Sequence, residues 1–488
     1  MKKNKSIKIN MILNMLKGIM SIIFPLISFP YISKVLGVDN IGKYNFASSI
    51  VSYFVLIAGL GITTYAIREG TKYRESISDI NIFVNEIFSI NIISSLLAYI
   101  LLAVCLISVN KLFDYKELIV ILSIQIAFQT IGVEWLYSIY EDYLYITVRS
   151  FMFQLVSLIL MFVLVCDSNS VNLYALITVI ASVGSNVMNF VHSKKYSRIK
   201  FTCRINWRTH LKPILILFAM SLTVTLYVSS DTTILGLIKG DNSVGIYSIS
   251  TKIYTVIKRV LSSILVVSIP RLSLYWGMGK QSDFISTAKD IYQTLLTILM
   301  PVILGIILLR KEIILIISTE SYLQATTSLV LLSFALFFCM GAWFWGQCIL
   351  IPCKQENIVF KATIVSAIVN IILNIILIPI WAENAAAFTT IVAEGIAFFW
   401  CRHYRKKELE IRFSSQILEK IIIGCIVVFI TIFCLSFFKL GIYLKFIVSV
   451  VTSIILYLLS QIILRNPTVL PILSKVKKQK NISKKENG

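Results

Sequence analysis

The stretch Asp231–Arg259, DTTILGLIKGDNSVGIYSISTKIYTVIKR, contains the pattern that decides the fold of this chain. It ends one long apolar segment, turns through a short polar loop, and begins a second apolar segment that contains three cations. At helical spacing, one face of the second segment presents Ser248, Lys252, Thr255 and Arg259, at positions i, i+4, i+7 and i+11. A hydrophobic helix with such a cationic stripe must turn it toward water, a ligand or other protein.

The same pattern occurs earlier in the chain, at a constant offset of 203 residues. Self-similarity at a long fixed offset predicts a duplicated unit, and chance matching in a sequence rich in Ile and Ser is the alternative. The matched pairs are Gly42 and Gly245, Tyr44 and Tyr247, Asn45 and Ser248, Ser49 and Lys252, Ser52 and Thr255, and Arg68 and Arg271.

The composition is that of a membrane protein. Of 488 residues, 57% are hydrophobic and 14% are charged, and the mean hydropathy is +0.84. Soluble globular proteins have about 25% charged residues. Apolar runs long enough to cross a bilayer as a helix, about 18 residues or more, recur along the chain. We therefore predict an all-α polytopic membrane protein.

The net charge of +22 would suggest a nucleic-acid partner in a soluble protein. Here, however, most of the 46 Lys and Arg residues fall in one set of alternate loops and tails. This asymmetry follows the positive-inside rule and predicts a multi-pass membrane protein with both termini cytoplasmic. The basic loops then suit anionic lipid head groups, and no nucleic acid is expected as a partner.

Hydropathy predicts fourteen transmembrane spans. The N-terminal run is too long for a signal peptide, contains Lys17 and lacks a small-residue cleavage site, so it is taken as a retained first span. The predicted spans are 10–33, 43–65, 82–108, 118–138, 146–166, 172–192, 213–236, 247–270, 291–310, 326–350, 359–380, 384–403, 417–438 and 443–464.

The basic loop near residue 200 divides these spans into two sets of six. An even number of spans per set gives both sets the same orientation, which predicts parallel repeats around a two-fold axis along the membrane normal, with a central cavity. The expected organisation is an N-terminal six-helix bundle (1–195), a basic cytoplasmic linker (196–212), a C-terminal six-helix bundle (213–408), two extra transmembrane helices (409–465) and a basic cytoplasmic tail (466–488).

Several charges lie well inside the predicted spans, where each costs about 2.5–3.5 kcal/mol on insertion scales. Glu86 and Arg149 lie near span ends and are expected to extend to the interface instead. Lys258 is rotated by roughly 100° from Arg259, so it either borders the cavity or pairs with an acid. Structural ion pairs are the alternative for any single charge. The cations are Lys17, Lys252, Lys258 and Arg259, and the acids are Glu134, Asp231 and Glu394.

An excess of Lys and Arg in a cavity predicts an anionic ligand, and phosphate first, because Arg supplies a bidentate fork and Lys a mobile point charge. Neutral polar side chains in the same spans are suited to sugar hydroxyls. Aromatic residues at 133–137 and 343–345 either stack on pyranose rings or belong to an interfacial belt. The neutral candidates are Asn14, Asn45, Ser49, Ser52 and Thr255.

The sequence contains no catalytic or metal-binding pattern. Nine cysteines are scattered singly, there are three His, and no CxxC or Cys/His cluster occurs. The glycines and lysine of Gly277–Ser282 lack the Walker A spacing. We therefore expect no catalytic residue, no metal and no cofactor, and we do not expect an enzyme.

Three stretches carry a family resemblance. Phe24–Glu69, FPLISFPYISKVLGVDNIGKYNFASSIVSYFVLIAGLGITTYAIRE, closely resembles the start of bacterial polysaccharide repeat-unit flippases, the Wzx-type transporters of the MOP exporter superfamily. The segments Asp231–Lys252 and Glu134–Tyr137 resemble further parts of the same family. The resemblance covers essentially the whole chain.

This resemblance implies a flippase that moves undecaprenyl-pyrophosphate-linked oligosaccharides from the cytoplasmic to the outer leaflet for capsule, O-antigen or exopolysaccharide assembly. It implies two six-helix bundles around a cationic central cavity that works by alternating access. The implied partners are the lipid-linked oligosaccharide, membrane lipids, a polysaccharide polymerase and glycosyltransferases.

Other functions and two coupling mechanisms stay open at this point. The nearest rivals are a lipid II flippase or another exporter of the superfamily, including a multidrug/cation antiporter. A membrane scaffold for polysaccharide assembly is a third, although it would have no need for cations inside the membrane. Transport is driven either by the membrane potential or by a proton or Na⁺ carried by Glu134, Asp231 or Glu394.

Overall fold

A computed structural model describes residues 7–404, 411 and 415–469; in the first helix, side chains are described at positions 13, 16, 18 and 20 and from 23 onwards. Within these ranges the chain forms helices and no strand. The α-helices are α1 (Ile7–Gly59), α2 (Ile62–Gly70), α3 (Ile77–Ser108), α4 (Asn110–Phe113), α5 (Lys116–Gly132), α6 (Glu134–Ile139), α7 (Tyr143–Leu164), α8 (Val171–Val183), α9 (Asn186–His192), α10 (Trp207–Ile238), α11 (Asp241–Val266), α12 (Ile269–Gly277), α13 (Gln281–Leu308), α14 (Arg310–Ile317), α15 (Ala325–Trp343), α16 (Glu356–His403), α17 (Ser415–Ser436) and α18 (Ile442–Ile463).

Twelve helical stretches in the described residues are long and apolar enough to cross a membrane. Two of them, Ile23–Gly70 and Glu356–His403, contain 48 residues each. Such a stretch would measure about 72 Å as a straight helix, more than twice the bilayer hydrocarbon thickness of about 30 Å. In the first stretch, helix α1 has a non-helical residue at Gly37 (φ 74°), and in the second, helix α16 has one at Ala382 (φ 50°). Each therefore accounts for two predicted spans, and the prediction of an all-α membrane protein with about fourteen transmembrane helices is confirmed.

Side-chain caps define where two of the long helices begin. The Ser76 hydroxyl accepts a hydrogen bond from the backbone N–H of Asp79 at the start of α3, at 3.4 Å. The Asn206 side chain accepts one from the N–H of Thr209 at the start of α10, at 3.3 Å. Both caps satisfy N–H groups that the first turn of a helix leaves unbonded. They lie on the polar flanks of apolar runs, where the sequence changes from loop to span.

The chain divides into two compact units. Unit 1 comprises the chain up to Ser248 together with Asn374–Ala382, and unit 2 comprises Ile249–Leu373 together with the chain from Glu383 onwards. These units reflect the density of internal contacts, whereas the sequence-based organisation into bundles 1–195 and 213–408 describes a duplication. That organisation stays a prediction.

Two segments that match at the offset of 203 residues contact each other through their backbones within unit 1. A Cβ atom added to Gly42 would lie 1.9 Å from the carbonyl oxygen of Asp241, and one added to Gly245 would lie 2.1 Å from that of Val38. Gly42 and Gly245 are 203 residues apart, and so are Val38 and Asp241. Each segment thus contributes a glycine and a carbonyl at equivalent positions, which agrees with the duplication that stays a prediction.

The aromatic residues singled out in the sequence lie mostly in the interiors of the two units. Trp135 and Tyr137 are buried in unit 1, with 4% and 0% of their surface exposed. Phe344 and Trp345 are buried in unit 2, with 0% and 1% exposed, and they begin a π-helical segment that continues to Leu350. In this conformation these four side chains therefore neither form an interfacial belt nor offer a ring face to a sugar.

Candidate functional site

The cationic stripe lies on one uninterrupted helix. α11 is helical from Asp241 to Val266, so the spacing of Lys252, Thr255 and Arg259 places them on a common face. Lys252 and Thr255 are half-buried, and Arg259 is exposed. At 1.5 Å per residue, Lys252 and Arg259 lie about ten ångströms apart along the helix axis. Each of the two cations costs free energy inside a bilayer.

Lys258, the third cation of α11, forms an ion pair within unit 2. Its ammonium lies 3.4 Å from Oε1 of Glu394, whose side chain is 8% exposed. The Tyr254 hydroxyl donates a second hydrogen bond to the same oxygen at 3.2 Å. Of the two alternatives for Lys258, the structure shows the pairing with an acid. Glu394 is accordingly engaged by a cation and a neutral donor at once.

Asp231 is a buried acid of unit 1 and receives hydrogen bonds from neutral donors. The Tyr247 hydroxyl donates to its Oδ2 at 3.0 Å, and the Asn374 amide donates to its Oδ1 at 2.6 Å. Its exposed fraction is 8%. Buried carboxylates require such partners, because an unbonded one would carry a large desolvation cost. Asp231 is therefore a hydrogen-bonded acidic group inside the apolar helix α10 of unit 1.

Arg149 and Glu134 form an ion pair inside unit 1, which corrects the expectation that Arg149 extends to the interface. The Arg149 side chain is 4% exposed, and its Nη2 lies 3.6 Å from Oε2 of Glu134, which is 41% exposed. Its guanidinium also lies 5.8 Å from the centre of the Tyr145 ring. Its Nε and Nη1 are buried and have no hydrogen-bond partner in the described part of the chain. The helix-end position did not indicate burial, because burial depends on the neighbouring helices.

Glu86 contacts the start of α10, next to the basic loop. Its Oε2 lies 2.8 Å from Nε2 of His210, and the Tyr65 hydroxyl lies 2.7 Å from Nδ1 of the same ring. Its other oxygen accepts the backbone N–H of Asn206 at 3.3 Å. Glu86 therefore holds the start of α10 against α3, which gives the acid a structural role.

Tyr196 lies beyond the membrane spans and holds the start of the basic loop against Tyr140 and Asp142. The Tyr196 hydroxyl donates to Oδ2 of Asp142 at 2.5 Å, and its ring stacks on that of Tyr140 at 4.5 Å between centres. Burial and the neighbouring Asp142 carboxylate raise the pKa of Tyr196. The phenol therefore stays protonated and keeps donating across the whole physiological pH range.

The neutral candidates in α1 differ in their engagement. The Ser49 hydroxyl donates to the carbonyl of Phe46 at 2.7 Å and accepts from Thr233 on α10 at 2.9 Å. It is 8% exposed and serves the packing of α1 on α10. Asn45 is half-buried. Ser52 donates to the carbonyl of Ser49 at 2.7 Å and also lines a pocket in unit 1 that is formed by α1, α2, α5 and α10.

The comparisons with known proteins place the chain in a family. It matches the family described as polysaccharide biosynthesis protein over residues 7–276, more than half of its length. The chain belongs to the polysaccharide biosynthesis protein family. This confirms, at the level of the family, the resemblance that Phe24–Glu69 carries.

Two relatives of this polysaccharide biosynthesis protein match most of its length. One, from Escherichia coli (strain K12), is named as a candidate O-antigen transporter; it is 23% identical over 380 residues, covering 76% of this chain and 90% of the relative. The other is the capsular polysaccharide biosynthesis protein CapF of Staphylococcus aureus, 24% identical over 379 residues, covering 76% and 91%.

A solved structure shares the fold of this polysaccharide biosynthesis protein. It is lipid II flippase MurJ in an inward closed conformation, with a TM-score of 0.75 and 16% identity. The similarity covers 93% of this chain and 99% of that chain. At this level of identity the similarity establishes the fold alone.

Two predicted site residues of this polysaccharide biosynthesis protein lie outside the described side chains. The backbone at Asn14 and Lys17 is part of α1, but nothing is described of their side chains, so their roles stay predictions. Among residues 7–404, 411 and 415–469, no group of three or more His, Cys, Asp or Glu residues is arranged to hold a metal ion.

Proposed function

We propose that this member of the polysaccharide biosynthesis family is a flippase for undecaprenyl-pyrophosphate-linked oligosaccharide repeat units. It moves them from the cytoplasmic to the outer leaflet of a bacterial cytoplasmic membrane for capsule, O-antigen or exopolysaccharide assembly. The observation that carries the proposal is the stripe of Lys252 and Arg259 on the continuous transmembrane helix α11. The protein acts as a transporter and not as a catalyst.

The chemistry of the stripe suits a pyrophosphate. A guanidinium binds two phosphate oxygens at once, and an ammonium adjusts to a third as a point charge. Thr255 lies between Lys252 and Arg259 and adds a neutral hydroxyl. Lys17 of α1 stays a separate candidate from the sequence. Each charge costs free energy inside the bilayer, and an anionic ligand offsets that cost in a way that an uncharged or cationic ligand does not.

The comparisons support a saccharide substrate and a flipping mechanism. Both relatives are named for O-antigen or capsular polysaccharide, and the shared fold is that of a lipid II flippase. The second candidate function is flipping of lipid II itself, which the shared fold favours. The cycle proposed is alternating access around the cationic cavity.

The driving force has two candidate sources. Moving an anion outward across an inside-negative membrane gains about 2.3 kcal/mol per charge for each 100 mV. Alternatively, an acid carries a proton or Na⁺ inward. The pairing of Glu134 with Arg149 and of Glu394 with Lys258 favours structural roles for these two acids. Asp231, held by Tyr247 and Asn374, stays a candidate for ion coupling. Unchanged transport after collapse of the potential at fixed pH and Na⁺ gradients would exclude the first source.

The test is flipping of a pyrophosphate-linked oligosaccharide lipid in proteoliposomes. Wild type should flip it, and Lys252→Ala and Arg259→Ala should each lower the initial rate at least tenfold, because a hydrogen bond to a charged group contributes about 1.5–3 kcal/mol. Lys239→Ala is the matched control, since Lys239 is exposed at the end of α10. The melting temperature of every variant is measured alongside, so that a lower rate is separated from a loss of folding.

Other outcomes would change the assignment. Wild-type rates in both stripe variants would make the stripe structural. Flipping of lipid II alone would favour the second candidate. Transport of a small cation without any lipid-linked saccharide would favour the multidrug exporter.

A further inference from the structure

Unit 1 contains a pocket of about 390 Å³ that lies between α1, α2, α5 and α10. We call it the neutral pocket, because none of the described residues that line it is charged. The volume is in the range of about 300–1,000 Å³ that small-molecule sites occupy. A pocket of this size inside the transmembrane helices requires an explanation.

A break in the backbone opens the neutral pocket. Between α1 and α2 the chain passes through Leu60 and Gly61, with φ angles of 43° and 70°. A Cβ atom at Gly61 would lie 2.9 Å from the backbone nitrogen of Phe218 on α10, so glycine is needed for this close approach. The break directs the first turn of α2, with Thr63 and Thr64, toward the pocket.

The lining contains neutral polar groups that have no partner in the part of the chain that the structure describes. Helical Ser and Thr hydroxyls commonly bond the carbonyl one turn back, as Ser221 of this lining does with Leu217 at 3.0 Å. Six other side chains of the lining make no hydrogen bond to the described residues. They are Ser48, Thr63, Thr64, Gln125, Gln129 and Thr225.

These groups indicate the chemical class of the ligand. Unbonded amides and hydroxyls are costly inside a membrane protein, and the cost is offset where they face water or a polar ligand. Gln125 and Gln129 lie one turn apart on α5, and each amide offers both a donor and an acceptor. Sugar hydroxyls and acetamido groups offer both as well. A phosphate or a carboxylate would find no cation among the lining residues.

We propose that the neutral pocket binds an uncharged sugar of the transported lipid-linked oligosaccharide. The proposal rests on the flippase function proposed above and assigns the saccharide to side chains other than those of the α11 stripe. Neutral and N-acetylated sugars are then preferred over uronic acids at this position, because a buried carboxylate without a partner is strongly penalised.

The test measures binding of three lipids to the full chain in nanodiscs. The probes are a polyprenyl pyrophosphate with a neutral oligosaccharide, the same lipid with a uronic acid in the oligosaccharide, and the sugar-free polyprenyl pyrophosphate. The double variant Gln125→Leu/Gln129→Leu should lower the affinity for the neutral glycolipid at least tenfold, equivalent to 1.4 kcal/mol. Its affinity for the sugar-free lipid should equal that of wild type.

Isosteric variants separate binding from folding. Thr225→Val removes a pocket hydroxyl at constant shape and should weaken glycolipid binding several-fold with an unchanged melting temperature. Thr223→Val, on the same helix, removes a hydroxyl that already donates to the carbonyl of Ala219 at 2.9 Å, and it should leave binding unchanged. Wild type should bind the neutral glycolipid more tightly than the uronic acid form.

Each contrary result has a distinct meaning. If the pocket variants bind the neutral glycolipid as wild type does, the pocket assignment is wrong and the flippase function stands. Equal losses for the glycolipid and the sugar-free lipid would also overturn it, because the sugar would then contribute nothing at the pocket. A preference of wild type for the uronic acid form would overturn it as well. If wild type binds none of the three lipids, the proposed function itself fails.

Discussion

Alanine at Gly42 or Gly245 should destabilise unit 1, because both glycines lie against backbone. The added Cβ would be 1.9 Å from the Asp241 carbonyl oxygen in the first case and 2.1 Å from the Val38 carbonyl oxygen in the second. A carbon–oxygen contact of this kind normally measures about 3.3–3.6 Å. The segments must therefore separate by roughly 1.2–1.7 Å, and no side-chain rotation can relieve the contact.

The expected cost follows from two opposed effects. An extra methyl group in a tightly packed interior costs about 1–3 kcal/mol of stability. The cost should lie near the upper end here, because the neighbouring atoms are backbone and cannot move aside. Glycine to alanine in a helix gains up to about 1 kcal/mol. Each single variant should therefore lose about 2 kcal/mol of stability. The double variant should lose less than the sum, because one separation of the segments relieves both contacts.

Thermal and denaturant unfolding of the purified chain in nanodiscs measures these losses. Gly305→Ala is the matched control, since Gly305 lies in helix α13 and an added Cβ would have no atom within 4 Å. It should be neutral or stabilising. If Gly42→Ala and Gly245→Ala melt like Gly305→Ala, or if their losses are strictly additive, the reciprocal contact does not exist as described.

Two ion pairs give further predictions. Glu134→Gln should lower the melting temperature, because it leaves the buried Arg149 without its counter-charge; loss of one partner of a buried pair costs about 3–5 kcal/mol, and the 41% exposure of Glu134 reduces this figure. Adding Arg149→Met should restore part of the loss, and a double variant less stable than the single one would contradict the pairing. Glu394→Gln should destabilise unit 2 for the same reason, and Lys258→Met should rescue it. Equal stability of Glu394→Gln and wild type in unfolding experiments would refute this pairing.

Much of the fold could be predicted from the sequence because apolar runs of span length leave few alternatives inside a bilayer. The two boundaries that hydropathy placed near Gly37 and Ala382 coincide with the backbone breaks inside the 48-residue stretches. The matched positions of Gly42 and Gly245 were also visible, since both must be small for the backbones to meet.

The side-chain environments were less accessible to sequence reasoning. Periodicity identifies a helix face but not the neighbour that covers it, so Arg149 was expected at the interface and is instead buried beside Glu134. The same limit applies to Gln125 and Gln129, whose covering helices the sequence does not indicate. An amide one turn from another is common, and only the adjoining helices show that both face a pocket.

The distribution of charge suggests how one fold can serve different saccharides. A pyrophosphate linkage is common to every substrate of the proposed class, and its recognition needs cations, a role that we propose for Lys252 and Arg259 of α11. The sugar differs among substrates, and its recognition needs neutral donors and acceptors in a shaped space, as in the neutral pocket. Exchange of Gln125 or Thr225 then changes the preferred sugar without removing a charge from the membrane interior. Specificity can therefore diverge at a small cost in folding free energy, whereas every change in the stripe affects all substrates.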